Sequence, residues 1–331
     1  MTSADAPIAP DTTGSALDEL RGLLHPRPDV AAETLPPADN AIDWVGMQGI
    51  EMPILFDAGD GELPRNRASV DAFVNLARPD RRGIHMSRLY LLVNQYLGDA
   101  AVDAKTLASL LGAFLHSHHD LADCARIGIR FEHLVRRKAL RSEHHGWRAY
   151  PVAIEAALIG GVFHLELGTQ VVYSSTCPAS VALSRQVVQQ RFAADFHAGE
   201  PLGHAAVLAW LGSERGMAAT PHAQRSVAHV RVRFVPDATM NLIALIDRIE
   251  GSLGTAVQTA VKREDEQAFA QANAENPMFC EDAARRIRRA LEKDDDISAF
   301  HVRVEHQESL HAHDAVAQVS RNFPGSAHGF F

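Results

Sequence analysis

Between about residue 40 and residue 320 the chain writes one order of elements twice, and that repetition narrows the folds open to it. The first half reads as strands at Trp44 to Phe56 and Ser69 to Leu76, helices at Ser87 to Leu97 and Ala104 to His116, and a strand at Arg126 to Leu134. The second opens with strands at Tyr150 to Leu158 and Val162 to Tyr173. After a helical insertion it continues with a strand at Ser226 to Val235, helices near Met240 to Leu253 and Pro277 to Leu291, and strands within Ala299 to Val319. Strands in runs with paired helices between them imply an α+β fold built on antiparallel sheet. Each half is roughly ββααββ. The expected plan is a mobile leader over 1–40, one unit over 41–149, a second over 150–320 with a helical insertion at about 181–219, and a tail over 321–331. Asn276 is expected to cap a helix opened by Pro277, which puts Cys280, Ala284, Ile287 and Leu291 on one stripe. In the insertion, Leu183, Val187, Val188 and Phe192 keep helical spacing.

Composition removes several function classes. The formal net charge of -9 argues against a nucleic-acid partner, although a local basic pocket for a phosphorylated small molecule is compatible with it. No apolar run is long enough to span a membrane, and the N-terminus lacks a basic segment followed by an apolar one, so no secretory signal is expected. Three cysteines, Cys124, Cys177 and Cys280, without a C-x-x-C pair do not make a disulfide framework and fit a reducing cytoplasm.

Several segments can carry chemistry. Cys177 lies where the apolar run Val171 to Thr176 meets an expected helix start, with Ser175 or Thr176 as cap and Pro178 in the first turn. A thiol there feels the positive end of the helix dipole, which favours the thiolate; a buried small residue at a strand end is the equal alternative. His222, in Pro221-His-Ala-Gln-Arg-Ser226, precedes a strand, where a neutral imidazole can bind a divalent metal or simply sit at the surface. Lys262-Arg-Glu-Asp-Glu266 reads as a solvated charge run at a helix start, or as a phosphate contact (Lys262) and a carboxylate ligand (Glu266). Glu281 lies early in the next helix, where an acid is favourable in any case. His311 and His313 share a face if their segment is strand, beside small residues continuing through Ala315, Ala317 and Val319. Arg82-Gly-Ile-His-Met-Ser-Arg88 marks a loop-to-helix junction able to hold an anion, or a plain helix start. His116, His118, His119, His144 and His145 read as surface residues in a chain with 18 histidines. No P-loop, Rossmann glycine fingerprint or G-x-S-x-G elbow points to another catalytic class.

Taken in order, Gly83-Ile-His-Met-Ser-Arg88, Ser175-Thr-Cys-Pro178, Pro221-His-Ala-Gln-Arg-Ser226, Lys262-Arg-Glu-Asp-Glu266, Asn276-Pro-Met-Phe-Cys-Glu-Asp282 and Glu308-Ser-Leu-His-Ala-His313 resemble the type IB GTP cyclohydrolase family. The resemblance implies a tunnelling fold, with two tandem ββααββ units per subunit, helices on one face, and a homotetramer with interfacial active sites. It implies GTP as substrate, dihydroneopterin triphosphate and formate as products, and a divalent metal, Mn²⁺, Zn²⁺ or Fe²⁺. By the same resemblance Cys177, His222 and Glu266 form the metal set and Glu281 anchors the guanine edge. His311 and His313 are the active-site histidine pair, with Cys177 also counted as catalytic, and Arg88, Lys138 and Lys262 are candidates for the triphosphate. Two features depart from the pattern: Ala179 stands where family members often carry a second cysteine, and the 181–219 insertion separates Cys177 from His222. Rival readings are the archaeal-type cyclohydrolase that makes a cyclic phosphate, the nitrile reductase of the same fold, and a metal-binding scaffold without catalysis.

Overall fold

The computed structural model describes residues 40–236 and 238–323. Its backbone is an eight-stranded sheet in which every strand pairs antiparallel with its neighbour in sequence, in the order β1 to β8. The strands are β1 (Ile42–Leu55), β2 (Arg65–Leu76), β3 (Ala125–Lys138), β4 (His145–Ile159), β5 (Val162–Thr176), β6 (Ala223–Phe234), β7 (Ile297–His306) and β8 (Ala315–Arg321). Seven helices among the described residues fill the connections. α1 (Met86–Leu97) and α2 (Ala104–Ser117) lie between β2 and β3, and α3 (Pro178–Asp195) and α4 (His204–Leu211) between β5 and β6. α5 (Leu242–Leu253), α6 (Arg263–Glu275) and α7 (Cys280–Leu291) lie between β6 and β7. The α+β class and the antiparallel sheet are as the sequence pattern expected. The 149/150 position falls inside β4, so the first ββααββ run extends to Ile159.

Alternation builds one apolar face across the sheet. Val70 pairs with Ile129, Ile129 with Ile154, Ile154 with Leu167, Val171 with Ala228 and Ala228 with Val304, all buried. Against that face pack Leu89 and Val93 of α1, Leu110 and Phe114 of α2, Ile246 and Ile249 of α5, and Ile287 and Leu291 of α7, in one continuous core. These helices place apolar residues three and four apart, so a single stripe of each is enough to seal the sheet.

Two local expectations are corrected. Asn276 ends α6 rather than capping α7, because its Nδ2 donates to Leu253 O (2.7 Å) and its Oδ1 accepts from Arg286 Nη1 (2.6 Å). Helix α7 starts after Phe279, whose N–H donates to Asp282 Oδ2 at 3.1 Å, and the expected stripe of Cys280, Ala284, Ile287 and Leu291 is buried. His118 is fully buried: its Nδ1 lies 3.1 Å from Phe114 O at the end of α2.

Helices α3 and α4 stand apart from the main core, burying Val181 and Trp210 respectively. Phe192, Phe196 and Trp210 form their own small aromatic cluster, with the Trp210 indole N–H donating to Asp195 at 2.7 Å. Leu183 and Val187, two of the residues at helical spacing, are exposed.

The start of α6 is fastened to the β3–β4 turn by the fully buried Asp265, which accepts from the N–H groups of Arg141 (2.7 Å) and Ser142 (2.9 Å), the Ser142 hydroxyl (2.6 Å) and Lys262 N–H (2.8 Å). Burial alone would raise its pKa, but these four donors outweigh burial and hold it well below the carboxylate range. Such a group stabilises the fold above its unfolded pKa of about 4 and loses that contribution as pH falls further. The stability gap between wild type and Asp265→Ala should therefore be full at neutral pH and narrow below about pH 4, as read by chemical denaturation across pH. In the core, Phe114→Ala should cost about 3–5 kcal/mol by the same measurement, and a cost under about 1 kcal/mol would contradict its placement.

Candidate active site

At one end of the core face the apolar residues of β5, β6 and β7 give way to polar ones. Register sets the neighbours: Tyr173 pairs with Ser226, Ser175 with Gln224, and Ser226 with His306. Past the last strand pair, Cys177 N–H donates to His222 O at 3.3 Å, so the two residues continue the β5–β6 ladder side by side. Cys177 is itself the N-cap of α3, with Pro178 in the first turn; neither Ser175 nor Thr176 caps it. His222 is held again by its own N–H, which donates to Ser180 Oγ at 3.1 Å.

Behind this pair runs a buried polar chain. His222 Nδ1 lies 3.0 Å from Gln224 Oε1, and Gln224 Nε2 donates to Ser175 Oγ at 2.9 Å. Ser175 Oγ lies 2.8 Å from Ser226 Oγ and 3.2 Å from His306 Nδ1, whose Nε2 lies 2.9 Å from Tyr173 Oη. Tyr173, Ser175, Ser226 and His306 are all buried. Burial pushes the His306 imidazole down to about 4, against the pull of the nearby Glu281 and Asp282 carboxylates, so the ring is neutral at physiological pH. Burial likewise raises the Tyr173 phenol, so it keeps its proton as a donor.

Glu281 reaches the same region on α7. Met278 N–H donates to Thr176 O at 3.1 Å, which docks the start of α7 against the end of β5. Glu281 is exposed and its pKa is lowered by its own backbone N–H and by the Cys280 thiol, which donates to it at 3.3 Å, so it is an anion at neutral pH. Beside it, burial pushes Cys280 up to about 11, which keeps that thiol protonated. The Thr176 hydroxyl is buried here without a hydrogen-bond partner among the described residues.

The other sequence candidates lie elsewhere or at the margin. Glu266 is exposed in the first turn of α6, and no group of three or more His, Cys, Asp or Glu side chains among the described residues is arranged to hold a metal. Cys177 and His222 are adjacent and Glu266 does not join them in a three-ligand cluster. Lys262 is the N-cap of α6. Lys138 ends β3, pairs with Glu143 at 3.1 Å, and lines a pocket of about 70 Å³ with Arg137, Arg148, Gln258 and Thr259. Arg88 donates to Ser117 O at 2.6 Å, which ties α1 to the end of α2. His311 and His313 are in the β7–β8 loop rather than in strand, because pairing stops at His306 with Ala315; both are exposed, with rings stacked 5.0 Å apart.

The sequence reading passed over Gln224, Ser226, His306 and Tyr173. The available signal was period two: Tyr173, Ser175 and Cys177 on one strand, and His222, Gln224 and Ser226 on the next, put polar side chains where the sheet face is otherwise apolar.

Fold and site together define an antiparallel α+β protein with an enzyme-like polar site, in which a thiol and an oriented imidazole lie side by side at the end of the sheet and an ionised carboxylate sits on the helix docked against it. The chain belongs to the family described as type I GTP cyclohydrolase folE2, whose model matches residues 28–317. It is 50% identical over 291 residues to a protein of Pseudomonas putida named GTP cyclohydrolase FolE2, covering 88% of this chain and 94% of that one. It is 44% identical over 298 residues to one of the same name from Hydrogenovibrio crunogenus, covering 90% of this chain and 95% of that one. Among solved structures, a uricase of Arthrobacter globiformis is 10% identical with a TM-score of 0.48, covering 87% of this chain and 96% of that one.

The neutral state of His306 has a consequence for stability. The unfolded chain protonates this imidazole near pH 6.5 and the folded chain only near 4, so its contribution weakens as pH drops through that window. An NMR titration should give His306 a midpoint near 4; a ring charged at about pH 6 would place it in water.

Proposed function

We infer that this chain is a GTP cyclohydrolase I of type IB, hydrolysing GTP to dihydroneopterin triphosphate and formate. The observation that carries the reading is the pairing of Cys177 with His222 at the end of the sheet, beside the docked helix start that bears Glu281, in a chain that belongs to the cyclohydrolase family along most of its length. Glu281, ionised and at a helix start, suits the N–C=N edge of guanine, to which it can accept two charge-assisted hydrogen bonds.

We propose Cys177, His222 and Glu266 as ligands of a divalent metal, Mn²⁺, Zn²⁺ or Fe²⁺. Two of the donors fit. A thiolate and an imidazole suit such ions, and Gln224 occupies Nδ1 of His222, which leaves Nε2 to face a ligand. Glu266 would come from a neighbouring subunit in the homotetramer with interfacial sites that the family resemblance implies. Exposed Leu183, Val187, Leu208, Leu211 and Met217 on and after the inserted helices supply apolar surface for assembly. On this reading the two ββααββ runs are the tandem units of a tunnelling fold.

When bound, the metal supplies the acidity that makes water a nucleophile near neutral pH. Water adds at C8 of the purine and the imidazole ring opens. A second water cleaves the remaining C8–N bond and releases formate, and ring closure with the rearranged ribose carbons expels one water. Glu281 fixes the base while these bonds change, and the exposed His311 and His313 carry protons to and from the opening ring. Lys138, Lys262 and Arg88 are proposed for the triphosphate; Lys138 shares a pocket with Arg137 and Arg148.

The test is incubation of metal-stripped protein with GTP, with and without Mn²⁺ or Zn²⁺, following formate and fluorescent neopterin. Both products are expected only with metal; formate with a cyclic phosphate would assign the archaeal-type reaction instead. Cys177→Ala and Glu266→Ala should each lose bound metal together with turnover. Glu281→Ala should keep its metal and lose GTP affinity by at least about 100-fold, the worth of two charge-assisted hydrogen bonds. Full metal occupancy in either ligand variant overturns the ligand assignment.

A further inference from the structure

His306 is buried, belongs to none of the motifs that identify the family here, and takes no part in the chemistry above. Its hydrogen bonds nonetheless lead, through two side chains, to His222. The direction of each bond follows from what each group can do. The Tyr173 hydroxyl, fully buried, has His306 Nε2 as its partner at 2.9 Å and donates to it. His306, neutral, then carries its proton on Nδ1 and donates it to Ser175 Oγ at 3.2 Å. Ser175 Oγ also accepts from Gln224 Nε2 at 2.9 Å, so its own proton goes to Ser226 Oγ at 2.8 Å. With its amide nitrogen committed to Ser175, Gln224 presents its oxygen to His222 Nδ1 at 3.0 Å. An amide oxygen only accepts, so His222 carries its proton on Nδ1 and leaves the Nε2 lone pair bare.

We propose that Gln224 is a positioning residue that locks His222 in the Nδ1–H tautomer, and that Ser175, His306 and Tyr173 form the buried support that fixes the Gln224 amide. The proposal rests on the reading of His222 as a metal ligand, where a bare Nε2 is the state required. Apart from the bare Nε2 of His222, every hydroxyl, amide and ring nitrogen of the chain has a partner, so it has little freedom to reverse. Gln224 is 7% exposed and Ser175 fully buried, which keeps water from replacing the contacts.

The experiment is nitrogen NMR of histidine-labelled, metal-free protein, with metal affinity of the same samples measured by competition with a chelator. In the wild type the His222 signal should be that of the Nδ1–H tautomer. Gln224→Leu should shift it toward the Nε2–H form and weaken metal binding by about 10- to 100-fold. Gln224→Glu, which keeps an acceptor facing Nδ1, should restore both. Ser175→Ala tests the support without touching the Gln224–His222 contact, and should give a mixed tautomer with a smaller loss of affinity; it also serves if Gln224→Leu does not fold. An unchanged tautomer in both Gln224→Leu and Ser175→Ala, or an Nε2–H wild type, overturns the lock. His222→Ala separates the two readings: undiminished metal binding there removes the ligand role, while the metal-free tautomer signal still decides the lock.

Discussion

The pairing of β5 with β6 is the constraint on which the rest of the site depends. Its register sets Ser175 opposite Gln224, and its continuation by the Cys177 N–H to the His222 carbonyl places a thiol and an imidazole side by side although 45 positions separate them in the chain. A one-residue slip would turn Tyr173, Ser175 and Cys177 to the other face of the sheet and bury their neighbours instead. The apolar half of β5 resists that slip, since Leu167 and Val171 would leave the core with it. Hydrophobic burial thus holds a polar site in register.

Around that ladder the molecule divides its tasks. Helices α1, α2, α5 and α7 seal one sheet face, and α7 also brings Glu281 to the site because Met278 bonds to the last residue of β5. The inserted helices α3 and α4 bury little against the main core and carry exposed leucines. The site itself stores its order in hydrogen bonds: in a low-dielectric setting a fully satisfied network is rigid, whereas a broken one leaves costly orphaned groups.

The class of fold and most element positions were legible in the sequence because strand alternation and helical stripes report burial directly, as in Val162–Thr176 and in the Cys280, Ala284, Ile287, Leu291 stripe. Helix ends were less so. Asn276-Pro277 has the look of a helix start, yet Asn276 bonds to Leu253 and Arg286 from distant parts of the chain, which local propensity does not encode. Similarly, the Leu183 and Val187 spacing is helical but says nothing of whether a partner covers that stripe within one chain. Cys177, His222 and Glu281 could be named from motifs, whereas Gln224 and His306 acquire meaning only from cross-strand register. Polar residues in strands are common, and only pairing turns these into a chain of contacts.

The most direct test of the central claim, that this ladder makes one ligand site of Cys177 and His222, is X-ray absorption spectroscopy of the zinc-loaded protein. The account predicts one sulfur scatterer at about 2.3 Å together with imidazole nitrogen at about 2.0–2.1 Å, the sulfur signal disappearing in Cys177→Ala. A zinc environment of nitrogen and oxygen alone in the wild-type protein would contradict it.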